Sequence, residues 1–101
     1  MTHDDRAEAR RSERPATGAQ LYALNKAGLL AEAMGVTPGA VATRSAWLVV
    51  SAARARLVLT AAQARGDWEG SPLRVPLTSH EAVRVQRYNR ERQRRLDDGE
   101  P

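Results

Sequence analysis

Between Pro15 and Gly66 the chain carries one acidic residue, Glu32, and inside that span the stretch from Leu29 to Leu59, LLAEAMGVTPGAVATRSAWLVVSAARARLVL, holds most of its large apolar side chains. A segment so poor in acids and so rich in Ala, Leu and Val predicts buried helix with a positive bias. From Ala40 onward the pattern reads as one long helix, to about Arg65. At 100° per residue, Ala46, Val50, Ala53, Leu57, Ala61 and Ala64 form one stripe flanked by Trp47 and Val58. Leu48, Ala52, Ala55, Leu59 and Ala62 occupy the opposite side, with Ser51, Arg56 and Gln63 among them. A helix apolar nearly all round is packed on more than one side. A chain of 101 residues has few other elements with which to cover both sides, so Leu48 and Leu59 are expected to meet a second copy of the chain or a protein partner.

Charge is unevenly spread. Residues 1–14 hold four basic and four acidic groups, residues 15–66 five basic and one acidic, and residues 67–101 seven of each. In the last third the signs separate again, because Arg84 to Arg95 contains six arginines against Glu91 and is followed by Asp97, Asp98 and Glu100. The pattern is a basic helix with an acidic tail. Lys26 is the only lysine, which points to a coding bias toward Arg and discounts the raw arginine count. With no cysteine, nothing calls for an oxidising compartment. No segment reaches 18 uninterrupted apolar residues, and the N-terminus lacks an apolar run, so a cytoplasmic protein without a membrane partner is expected.

Read along the chain, residues 1–14 are polar and without periodicity and predict a disordered tail. Residues 15–66 form the helical core. Thr17 with Gln20 makes a capping box that opens a helix over 17–27, stopping near Gly28, and a second helix is expected over 30–35. Asp67 to Leu77 reads as an extended linker, in which Pro76 removes a ladder donor and Trp68 is free to fold back onto the core. Thr78 with Glu81 opens a last helix over 78–96, apolar along Ala82, Val85, Tyr88 and Leu96 and basic at Arg87, Arg90 and Arg94, with Arg84 and Arg95 flanking. Residues 97–101 are an acidic tail. The fold class is therefore all-α: a small bundle of three to four helices with a long central helix and mobile termini.

Two resemblances attach to particular residues. Pro15-Ala16-Thr17-x-x-Gln20-Leu21-x-x-Leu24-Asn25-x-x-Gly28-Leu29-Leu30, followed by Thr43-Arg44-x-Ala46-Trp47, resembles a small helical-hairpin module of uncharacterised actinobacterial and phage proteins; the likeness covers residues 15 to about 53 and implies no enzymatic activity. Leu30-Ala31-x-x-Met34-Gly35-Val36-Thr37-Pro38-Gly39-Ala40-Val41 is similar to the helix-turn-helix of DNA-binding regulators, with a small Ala where the helices approach and a Gly at the turn. That motif next wants an apolar residue where Arg44 stands. Its base-reading positions, Thr37, Pro38, Gly39, Ala42 and Thr43, offer little of the Arg, Asn or Gln chemistry that reads base edges. The plain alternative is a loop between two core helices, with Pro38 and Gly39 as turn residues.

No catalytic constellation can be assembled. Glu32 is the lone carboxylate of the core and is expected on the outside of its helix. His3 and His80 stand apart, so there is no metal site, and the serines lack a base at a useful spacing. The expectation is a non-enzyme with no cofactor and no small-molecule substrate. The leading function is nucleic-acid binding, DNA in particular, in a regulatory or accessory role, through phosphate contacts from Arg44, Arg54, Arg56, Arg84, Arg87, Arg90 and Arg94. The alternative is an adaptor or structural protein that oligomerises through its central helix.

Overall fold

The structure is a computed structural model, and it describes residues 14–43, 50–71 and 73–99. The expected N-terminal tail up to residue 13 lies outside that range, as do Arg44, Trp47 and Leu48. The chain is all-α. Four α-helices, α1 (Gly18–Lys26), α2 (Leu30–Met34), α3 (Ala52–Ala64) and α4 (Ser79–Asp97), and one 3₁₀-helix (Pro38–Thr43) make up its regular structure among the described residues. Helix α3 lies in the middle and packs against α1, α2 and α4.

Both expected capping boxes are present. Thr17 accepts from the Gln20 amide while the Gln20 side chain accepts from the Thr17 amide, and Thr78 and Glu81 do the same for α4. Each box satisfies two of the amide donors that a helix start leaves orphaned. Helix α3 ends in a Schellman motif. Asp67 donates to the Ala62 carbonyl (2.8 Å) and Gly66 to that of Gln63 (3.2 Å), with Gly66 at φ 83°, a conformation that costs glycine nothing.

The long helix from Ala40 is not what forms. Residues 38–43 are a 3₁₀-helix, Val50 has no helical conformation, and α3 starts only at Ala52, capped by Ser51 in an extended conformation whose hydroxyl accepts from the Arg54 amide (3.0 Å). The apolar periodicity runs through this break without registering it. What breaks it is pairing with the chain around Pro15: Ala16 donates to the Val50 carbonyl (2.9 Å) and Ala52 to that of Arg14 (2.7 Å), in an isolated antiparallel bridge between Pro15 and Ser51. In that arrangement the opposed pair Pro15 and Ser51 exchanges no hydrogen bonds, so the missing N–H of Pro15 is not needed. Arg14 belongs to this clip and not to the tail. The longest helix is α4, with 19 residues against 13 in α3.

Burial on α3 is shared between the expected stripe and the side opposite it. Ala55, Val58, Leu59, Ala61 and Ala62 are fully buried, whereas Ala53 and Ala64 from the expected core stripe are exposed and Leu57 is half-buried. Leu59, expected to project toward a partner, is instead part of the chain's own core with Leu24, Val50 and Val58. Alanines on both sides of α3 left its phase undetermined, and the large residues of α1 and α4 decide it. The described residues of the linker over 67–77 have no regular structure but are fastened down. Trp68 is buried, and the Gln63 side chain holds Val75 at both ends, donating to its carbonyl (3.0 Å) and accepting from its amide (3.3 Å).

Candidate functional site

Helix α4 is docked by Val85 and Tyr88, both buried, and by three polar contacts from neighbouring elements. The first is at Glu32, which is half-buried rather than on the outside. Tyr88 donates its hydroxyl to Glu32 Oε2 (2.5 Å) and Arg92 donates Nε to Oε1 (2.8 Å). Burial alone would raise the Glu32 pKa, but the hydrogen bonds from Tyr88 and Arg92 outweigh it and hold the carboxyl below its ordinary value. Burial, with the neighbouring Glu32 carboxylate, pushes the Tyr88 phenol up to about 12.

The second contact is a fork. Arg56 donates Nε to Glu81 Oε2 (2.5 Å) and Nη2 to Oε1 (2.9 Å), and Nη2 also reaches the Pro76 carbonyl (3.1 Å). The Arg56 hydrogen bond, opposed by partial burial and aided by the Thr78 amide, brings Glu81 down to about 2. The third is at Asn89, which donates to the Ala61 carbonyl (3.0 Å) and accepts from Arg65 Nη1 (3.1 Å); Arg65 in turn donates to Asp67 (2.5 Å).

These contacts sort the expected nucleic-acid residues into two groups. Arg54 and Arg56 are engaged within the fold. Arg54 lies over the Tyr88 ring, 5.4 Å from its centroid, and donates to the Glu32 carbonyl (3.4 Å). Arg84, Arg87, Arg90 and Arg94, together with Arg95, are exposed and make no hydrogen bond or ion pair among the described residues. Arg87, Arg90 and Arg94 fall within an arc of about 60° on the side of α4 away from Val85, and Arg84 and Arg95 lie on its flank at roughly 90–110° from the centre of that arc. Leu96, expected in the apolar stripe, is 47 % exposed, because α4 outruns the core: its 19 residues span about 28 Å, whereas the 13 of α3 span about 20 Å.

The contacts at Glu32, Gln63 and Asn89 were not foreseen. The signal for the first was present: a lone acid in a positively biased segment is the natural destination of an arginine. Nothing in sequence distinguishes Gln63 or Asn89 from solvated helix residues. After the turn at Gly35, the described part of the helix-turn-helix candidate is the six-residue 3₁₀-helix, so no recognition α-helix lies among the described residues.

Among the described residues no group of His, Asp and Glu gathers in a way that would hold a metal ion, and no helix is long and apolar enough to cross a membrane. The hollow of about 100 Å³ between α3 and α4 is lined by Ala53, Leu57, Thr60 and Val85 with the Arg56–Glu81 pair and Arg84, and presents no nucleophile with a base beside it. No family model matches the chain, and no curated protein or solved structure matches it either, so its functional reading rests on these residues and their geometry.

Proposed function

We propose that the protein binds nucleic acid, DNA in particular, in a regulatory or accessory role without turnover of its own, and that the contact is made by the exposed arginine face of α4 with phosphates. The observation that carries this reading is the division of the arginines. Arg54, Arg56, Arg65 and Arg92 donate to acceptors inside the fold, while Arg84, Arg87, Arg90 and Arg94 share one helix, face solvent and have no acidic partner among the described residues. A helix docked on one face and capped at its start holds such a row in fixed register. Phosphate contacts from that row supply affinity without reading bases.

The homodimer or adaptor alternative rested on Leu48 and Leu59. Leu59 is interior and Leu48 lies outside the described residues, so that alternative keeps no support from the geometry.

The test is the salt dependence of binding to a labelled DNA duplex. Each phosphate neutralised contributes about −0.9 to the slope of log affinity against log salt, so Arg87→Gln, Arg90→Gln and Arg94→Gln together should flatten that slope by roughly two to three units. Folding should be unchanged, since Gln is a good helix former and these positions face away from the core. A wild-type protein that shifts no duplex at low salt would refute the proposal.

A further inference from the structure

Resting on that reading, we infer that the ligand of α4 is a nucleic-acid double helix held from outside along its phosphates, and that the protein discriminates double from single strands rather than one sequence from another. The arginine face is long, and the exposed Val83 lies on the same side. Arg84 to Arg95 advances about 17 Å along the axis, a length over which a duplex presents one phosphate charge per about 1.7 Å counted over both strands, twice the density of one strand.

The same face lacks what single strands need. Proteins that hold unpaired bases stack them on exposed aromatic rings. Tyr88 and Trp68 are buried, and the exposed Tyr22 is on α1, so no aromatic ring among the described residues stands in the arginine sector. The arc of Arg87, Arg90 and Arg94 holds no amide side chain, and the exposed Gln86 lies about 70° from its centre. Asn89 is committed to Ala61 and Arg65, and Gln93 donates to Asp97 (3.0 Å).

The C-terminal end of α4 sets the pose. It carries Asp97 and Asp98 together with the negative pole of the helix dipole, and both oppose driving that end into a groove between two rows of phosphates. The helix therefore lies against the backbone by its flank. Nor does α4 suit a lipid surface, because the apolar side that would enter a membrane is spent on docking through Val85 and Tyr88.

The experiment is fluorescence anisotropy with the full chain at low salt, on a labelled 20-base-pair DNA duplex, the same strand unpaired, a second duplex of unrelated sequence, and anionic vesicles. The expected result is affinity about tenfold or more tighter for the duplex than for the single strand, a difference of about twofold at most between the duplexes, and no vesicle binding. Single-strand affinity equal to or above that of the duplex would overturn the inference and leave the nucleic-acid reading intact. So would a tenfold preference between the duplexes. Binding to vesicles but to neither nucleic acid would overturn both. If the Arg87/Arg90/Arg94→Gln variant keeps the wild-type salt slope on duplex, the ligand is held elsewhere, and the inference falls together with the assignment of the contact to α4.

Discussion

Tyr88 joins α4 to both α2 and α3. Its ring is buried under Arg54, and its hydroxyl binds the only acid of the residue 15–66 segment. Tyr88→Phe keeps the ring and removes the donor, leaving Glu32 short of a partner, and should cost about 1–3 kcal/mol in urea unfolding at pH 7. The pH profile carries a second expectation. A phenol raised from an ordinary value near 10 to about 12 binds its proton more tightly in the folded state. Its contribution is thus full below pH 10 and is lost as the pH rises through about 12. Thermal melts between pH 9 and 12 should show wild-type stability falling and the Phe variant falling less. Parallel curves would mean that the hydroxyl contributes nothing linked to its proton.

At the scale of elements, the helices were legible where the start signals were chemical and obscure where only apolar pattern was available. The Thr17–Gln20 and Thr78–Glu81 boxes placed α1 and α4 to within a residue, because a hydroxyl and an amide or carboxyl three apart have one local use. Helix α3 had a weaker signal in Ser51, which is followed three residues on by Arg54 and not by an amide or carboxyl, and the apolar stripe that ran past it was the louder one. Leu59 against Leu57 tests which stripe is the core. Leu59→Ala should cost about 2–5 kcal/mol by leaving a cavity among Leu24, Val50 and Val58, and Leu57→Ala, at a half-buried position, clearly less. The reverse order in denaturant midpoints would restore the stripe suggested by periodicity. The segment after α3 has its own test in Gly70, at φ 92°, where an added Cβ would stand 3.1 Å from Gln63 Oε1 and 3.2 Å from the Arg74 Cα. Gly70→Ala should lose at least about 1–2 kcal/mol from the left-handed backbone alone, with more from displacing the Gln63 amide that fastens Val75. Equal stability would show that this segment is not held as described.

Over the whole molecule, α4 is one lever attached at several points, and the arginine face depends on those attachments without taking part in them. Two attachments are carboxylates on different partners. Glu32 reaches α4 from α2, and Glu81 ties α4 to Arg56 of α3. Both carboxyls are held below their ordinary value of 4.5, Glu81 down to about 2, where the Arg56 fork is the leading cause. A depressed folded pKa contributes stability that is complete above the unfolded value and is lost as the pH falls through the folded one. The protein should therefore hold its melting temperature down to about pH 4.5 and lose it progressively toward pH 2, with α4 released as its two carboxylate contacts are protonated. Glu81→Gln retains a side chain able to cap the helix but removes the charge. It should lower stability at pH 7 by about 1 kcal/mol, the scale of an ion pair that solvent still reaches, and should flatten the decline below pH 4.5. The discriminating observation is the shape of the acid limb in circular dichroism melts. A Glu81→Gln variant that starts lower and loses as much as wild type between pH 4.5 and 2 would place the acid sensitivity outside the Arg56–Glu81 pair, and Glu32 and Asp67, the other carboxyls held low, would then have to account for it.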